Sequence, residues 1–289
     1  MKERIGLLYL CTGPYSLFWE DYYKSFEKNF IRDMEKHYYV FTDSENIYDS
    51  DKNDRIHVIK INPLPWPLIT LLRFQYFLSI EDELSKNDYL MFSNANVVCN
   101  CEITKDEFLP DDSNKTGMSF VQHPGYFKES AKDVPYDRNP KSLAYIPYNC
   151  GENYVIGAMF AGTYNGFITM SKILKARIDR DLSKNVIAKW HDESHLNRYI
   201  AGRDNSEYKL LSPAYCYPVG IDLDMPAKIA GVSKAAKFDV KKFKGHKKTT
   251  RSRGFYLAVK FLRKTVHTIL FIKDALLLKR VSSIEALND

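Results

Sequence analysis

Residues 89–99 read YLMFSNANVVC. The apolar run from Tyr89 to Phe92 stops at two asparagines one residue apart, Asn94 and Asn96, and resumes at Val97 and Val98. Asparagine sits poorly in strands, so the pair marks the place where a buried strand ends. Three runs of the same make precede it: IGLLYL (5–10), YYVFTD (38–43) and RIHVIKI (55–61). Between the first two, Phe18, Tyr22, Phe26 and Phe30 recur at helical spacing. ITLLRFQYFLSIEDELSK (69–86) reads as a second helix ahead of the asparagine-terminated strand. Strands alternating with helices predict an α/β domain around a mostly parallel central sheet. Ligands of such sheets lie beyond the C-terminal ends of the strands. The Cys11–Tyr15 loop, the Thr42-Asp43 end and Asn94-Ala95-Asn96 all fall at that edge.

The chain of 289 residues allows one large domain or two small ones, and at 45% hydrophobic it can bury a sizeable core. Five cysteines (Cys11, Cys99, Cys101, Cys150, Cys216) form no CxxC pair, which suits a reducing compartment better than a disulfide scaffold. No hydrophobic run reaches 18 residues, so no transmembrane helix is expected. MKERIGLLYLCTGPY mimics a signal peptide but lacks a small-residue cleavage site, and reads as a first buried strand. The net charge of +6 is uneven: residues 228–280 hold 16 Lys and Arg against two aspartates, whereas residues 1–227 are net acidic. A basic segment of this kind meets phosphate, nucleic acid or a membrane surface. For nucleic acid, no recognised motif or regular aromatic interleaving accompanies it, and none is expected as a partner.

The middle of the chain, 102–150, is rich in loop signals. The small residues of NYVIGAMFAGTYNGF (153–167) allow either tight strand packing or close approach to a ligand. Helices are expected over 168–185 and 186–202. WHDESH (190–195) is the most polar cluster. His191 and His195 stand four apart as in a zinc helix, but the zinc-protease motif needs Glu directly after the first His, and Asp192 is there instead. Asp192 and Glu193 either complement a helix N-terminus or supply a catalytic carboxylate beside Trp190, whose flat indole suits a sugar ring.

WHDESHLNRY (190–199), with HPGYF (123–127), YDRNPKSLAYIP (136–147), YVFTD (39–43) and LSPAYCYP (211–218), resembles glycosyltransferase family 6. That family holds the mammalian blood-group A and B transferases, the α-1,3-galactosyltransferase and bacterial relatives. The resemblance runs from about residue 5 to residue 253. It implies a GT-A fold, one nucleotide-binding α/β domain over 1–253, with 254–289 as a basic amphipathic extension. It also implies retaining α-1,3 transfer of Gal or GalNAc from a UDP-sugar to a galactoside.

On the same resemblance, Leu10, Thr12 and Tyr15 line the uracil pocket, while Trp66 and Arg73 lie by the donor. Asn94 and Asn96 stand where mammalian members hold Mn²⁺ on Asp-x-Asp. Amides are weak ligands for hard divalent cations but can hold ribose or diphosphate oxygens, so no metal and no cofactor is expected. Lys244 and Arg251 would close over the diphosphate. Ile156, Gly157 and Ala158 would line the C2 side of the donor sugar. Asp192 would contact that sugar, and Glu193 would be the nucleophile or the stabiliser of an oxocarbenium-like state. His123 and Trp190 would contact the acceptor. Tyr217-Pro218 departs from the mammalian pattern, which has an acidic acceptor contact there.

The expectation is a UDP-Gal-dependent α-1,3-galactosyltransferase acting on a fucosylated galactoside in surface polysaccharide synthesis. UDP-GalNAc is the alternative donor, and a non-catalytic sugar-binding module the alternative of another class. In 254–280, Phe255, Val259, Leu262, Val266, Ile269 and Leu270 fall on one helical side and Lys260, Arg263, Lys264 and His267 on the other. That pattern suits a helix lying in an anionic membrane surface, or one packed on protein. The membrane reading places the enzyme in the cytoplasm, peripheral on the inner face of the bacterial membrane.

Overall fold

The computed structural model describes residues 2–240; Lys244, Arg251 and the helix expected over 254–280 lie outside the described residues. Nine strands are described: β1 (Arg4–Cys11), β2 (Glu35–Thr42), β3 (Ile56–Lys60), β4 (Tyr89–Ser93), β5 (Val97–Cys99), β6 (Met118–Gln122), β7 (Val155–Thr163), β8 (Lys209–Leu211) and β9 (Ile229–Gly231). The α-helices are α1 (Trp19–Asn29), α2 (Leu68–Leu71), α3 (Arg73–Leu78), α4 (Glu81–Leu84), α5 (Lys105–Phe108), α6 (Tyr164–Ser183) and α7 (Asp192–Ile200).

Seven strands form one sheet in the order β3-β2-β1-β4-β7-β6-β8, and β5 pairs with β9 in a small second sheet. The four strands read from the sequence run parallel, with β1 pairing both β2 and β4. β7 alone runs against its neighbours β4 and β6. β7 is reached from β6 through the long 123–154 excursion and runs opposite to both β6 and β4. β1 shows the two-residue period at work. Ile5, Leu7, Tyr9 and Cys11 enter a core with Trp19, Tyr22 and Phe26 of α1, while Leu8 enters the core built with Phe74, Phe77 and Phe167.

The single helix expected over 69–86 is three short ones, α2, α3 and α4. Side chains have taken over its carbonyls: Arg73 Nε donates to Thr70 O at 3.1 Å, and the Ser79 and Ser85 hydroxyls donate to Tyr76 O and Asp82 O, both at 2.7 Å. The 123–154 excursion has its own small core of Val134, Tyr136, Ile146, Cys150 and Tyr154. All five cysteines are free thiols. Among the described residues no helix is long and apolar enough to cross a membrane.

Candidate active site

The site is built where β7 meets the first turn of α7. Asn197 clips the two together. Its amide accepts from Val155 N at 2.9 Å and donates to Val155 O at 2.8 Å and Glu193 O at 2.9 Å. The approach is so close that a Cβ on Gly157 would lie 2.9 Å from Glu193 Cβ and 3.2 Å from its Cα, so only glycine fits. Of the two readings of the small-residue stretch, tight packing therefore holds at Gly157, and what packs there is the Asp192-Glu193 turn.

Glu193 is held at both oxygens. The Tyr154 hydroxyl donates to Oε1 at 2.7 Å and Gly157 N–H to Oε2 at 2.9 Å. Burial pushes its carboxyl up to about 7, against the pull of those two donors. Asp192 is buried too, and its carboxyl is raised by burial to about 6 despite the nearby Arg73 guanidinium. Arg73, itself buried, reaches Asp192 Oδ2 at 3.2 Å, donates to Gly157 O at 2.8 Å, and lies over the Phe92 ring at 4.4 Å. One guanidinium thus joins α3, β4, β7 and α7. The result is a paired Arg–Asp beside a carboxylate close to half-ionised at neutral pH, the combination expected of a group poised for chemistry.

Of the other expected residues, contacts tie Asn94, Trp66, Trp190 and His123 to this centre or its turn. Asn94 N–H donates to Ala158 O at 2.8 Å, which brings the asparagine pair against Ile156-Gly157-Ala158. Asn96 Nδ2 donates to Val232 O at 2.9 Å, tying the end of β4 to the segment after β9. Leu10 and Thr12 stand half-buried at the end of β1, at the same edge of the sheet. Tyr15 packs on Phe238 with ring centroids 5.6 Å apart and lies under Lys234 Nζ at 5.1 Å. Trp66 is 71% exposed and meets the His191 ring edge-on at 4.7 Å.

Trp190 is 44% exposed, and its backbone N–H is taken by Ser194 Oγ at 2.9 Å. His123 follows β6 and packs on Tyr154 at 5.6 Å. Burial brings its imidazole down to about 4, so it is neutral. Its Nδ1 accepts from Gly125 N–H at 3.0 Å, which puts the ring proton on Nε2.

Sequence reasoning missed Tyr154, Asn197 and the backbone of His191. Asn197 could have been suspected as a polar residue one turn from Glu193; Tyr154 carried no signal among 20 tyrosines. His191 has φ 54°, a conformation that costs a side-chain-bearing residue on the order of 1–3 kcal/mol. It precedes α7 rather than lying on it, so His191 and His195 do not share a helical face, and His195 is buried near Asp181. Among the described residues no group of three His, Cys, Asp or Glu is gathered in a way that could hold a metal ion.

The family model described as Glycosyltransferase family 6 matches residues 1–243. The chain is 38% identical to the O-antigen biosynthesis glycosyltransferase WbnI of Escherichia coli, over 78% of this chain and 92% of that protein. It is 31% identical to the globoside alpha-1,3-N-acetylgalactosaminyltransferase 1 of Gallus gallus and 25% identical to the histo-blood group ABO system transferase 2 of Rattus norvegicus, each over 74% of this chain. It spans only 61% and 63% of the length of those two animal proteins. A buried carboxylate on a WHDESH turn at the strand ends, within an α/β sheet matched over most of its length, places this chain in glycosyltransferase family 6.

Proposed function

We propose that the protein is a retaining, metal-independent α-1,3-galactosyltransferase that moves Gal from UDP-Gal to a galactoside, in the making of a surface polysaccharide of the O-antigen kind. The observation that carries this reading is Glu193, a buried carboxylate aimed by Gly157 N–H and Tyr154 O–H at the edge where a nucleotide sugar would lie. As the bond from donor C1 to the diphosphate breaks, positive charge grows on C1 and the ring oxygen. A fixed carboxylate stabilises that charge or adds to C1. The acceptor hydroxyl then forms the new bond on the face the diphosphate left, and its proton goes to the departing phosphate. Leu10, Thr12 and Tyr15 are proposed for the base, and Lys244 and Arg251 for the diphosphate. Measuring UDP release with UDP-Gal and UDP-GalNAc, over plain and fucosylated galactosides, tests the whole reading. Release with neither donor overturns it.

Metal independence rests on the asparagines. The Asn96 N–H₂ already donates to Val232 O, and an aspartate there would set a carboxylate against that carbonyl. Two neutral amides, one with its N–H₂ already engaged, offer a hard divalent cation far less than two carboxylates would. Activity should persist in excess chelator. Asn96→Asp should destabilise the fold by about 1–3 kcal/mol in chemical denaturation, since an acceptor would face an acceptor. Abolition by chelator and rescue by Mn²⁺ would overturn the proposal.

The choice of Gal over GalNAc rests on the Ala158 methyl, half-buried and backbone-linked to Asn94. That methyl takes volume an acetamido group would need. Discrimination by one methyl is about 1–3 kcal/mol, so Ala158→Gly should raise relative use of UDP-GalNAc by about tenfold or more. The second reading, GalNAc transfer, is favoured by the Gallus gallus relative, an alpha-1,3-N-acetylgalactosaminyltransferase by name. Wild-type preference for UDP-GalNAc would establish it.

Residues 254–280 are proposed to lie in an anionic membrane surface, keeping the enzyme at the cytoplasmic face where lipid-linked acceptors sit. Truncation after Arg253 should abolish sedimentation with anionic liposomes while leaving transfer to a soluble galactoside. A full-length protein that ignores such liposomes at low salt sinks this part.

A further inference from the structure

A cleft of about 360 Å³ opens beside His123, within the roughly 300–1,000 Å³ span of small-molecule sites. One wall is the loop after β6, with Gly125, Phe127, Lys128 and Glu129; the other carries Asp222 and Asp224. Contacts join it to the centre of the site. Glu193 bonds Tyr154, the Tyr154 ring packs on His123, and His123 Nδ1 accepts from Gly125 N–H. The far wall is equally anchored. Leu223 N–H donates to the Tyr217 hydroxyl at 2.7 Å, and that hydroxyl donates to Asp222 Oδ1 at 3.0 Å. Tyr217 is in turn held by Ile229 O and Gly231 N of β9. Both walls therefore stand on the framework that fixes Glu193 and Asn96, and the cleft lies next in the chain to the candidate acceptor histidine.

Its chemistry is selective. Its lining holds three acidic residues, Glu129, Asp222 and Asp224, against one basic residue, Lys128, whose Nζ lies 5.2 Å over one face of the Phe127 ring. Carboxylates accept paired bonds from neighbouring sugar hydroxyls, and hydrogen bonds to an ionised acceptor are about twice as strong as neutral ones. An aromatic ring covers the C–H face of a pyranose. The same charges repel a carboxylate or phosphate on the ligand. We propose that this cleft is the subsite for acceptor sugars beyond the galactose that receives the transferred unit, and that it takes uncharged sugars and excludes anionic ones. This rests on the transferase reading above.

The test is steady-state kinetics with three acceptors: methyl β-galactoside, a neutral trisaccharide ending in galactose, and the same trisaccharide with a uronic acid as its second unit. The neutral extension should raise kcat/KM over the simple galactoside about tenfold or more, chiefly through KM. The uronic acid should erase that gain, and added salt should restore part of it by screening. The Glu129→Gln/Asp222→Asn double variant keeps oxygens able to accept at both positions but removes two charges. In it the neutral-to-anionic ratio should fall toward one. If the simple galactoside, tried both plain and fucosylated, is not glycosylated in either form, the transferase reading fails and takes the subsite with it. If it is glycosylated but extension brings no gain, or the double variant keeps the wild-type ratio, the subsite alone is wrong.

Discussion

Glu193→Gln should lower kcat by about a hundredfold or more while leaving UDP-sugar binding nearly intact, because a fixed charge opposite a developing cation acts in the transition state and not in the ground state. The structure adds that glutamine is a poor replacement on geometric grounds too. Glu193 accepts from Gly157 N–H on one oxygen and from the Tyr154 O–H on the other. Glutamine has one acceptor oxygen, so its N–H₂ must face one of two donors. Only the Tyr154 hydroxyl can turn round to accept, which leaves a single tolerable orientation. Near-wild-type turnover in the Gln variant would mean the carboxylate is structural.

The pH dependence follows from the same burial. With its carboxyl raised to about 7, Glu193 is protonated and inactive on the acid side, so kcat should fall as pH drops through that region. Tyr154→Phe removes a donor that favours the ionised form and should move this limb to higher pH. Stability runs the other way. A carboxyl whose folded pKa lies above its unfolded value of 4.5 destabilises the folded state as pH rises through about 7. Glu193→Gln should therefore be more stable than wild type at pH 8, by an amount on the order of a few kcal/mol, and gain little at pH 5. A variant both inactive and less stable at pH 8 would separate the two arguments and retire the second.

The parallel half of the sheet was legible because each buried strand is a short apolar run ended by polar residues, and each lies beside a helical stripe. The break of the 69–86 helix was not. It depends on Arg73 turning back to Thr70 O to reach Gly157 and Asp192, and a period of 3.6 does not reveal partners distant in sequence. The reversed strand β7 was hidden for a related reason. Its apolar run looks the same in either direction, and the long loop-rich connection 123–154 permits either sense. In the site, the carboxylates and small residues were readable as types, and the family resemblance supplied their roles. Tyr154 acts on a carboxylate distant in sequence and Asn197 on the backbone of β7 and α7, partners that composition and spacing do not encode.

Arg73 should be the residue on which the fold of the site depends most. Its guanidinium is buried and serves Asp192 Oδ2, Gly157 O and Thr70 O together. Arg73→Leu fills a similar space with hydrocarbon but leaves Asp192 as a buried charge without its partner, and removal of one member of a buried pair costs about 3–5 kcal/mol. The cost should depend on pH with a definite sign. Asp192 already sits at about 6, with burial raising it and Arg73 lowering it. Without the arginine its carboxyl rises further, so at pH 5 it is neutral and the penalty shrinks, whereas at pH 8 the penalty is full. Arg73→Leu combined with Asp192→Asn should recover much of the loss at pH 8, because the pair then leaves together. Arg73→Lys keeps the charge but lacks the fork that spans three oxygens, and should fall between wild type and Leu. Urea melts of the four proteins at pH 5 and pH 8 decide the matter. A cost that does not change with pH, or a double variant no better than Arg73→Leu, would show that Asp192 is not what the arginine neutralises.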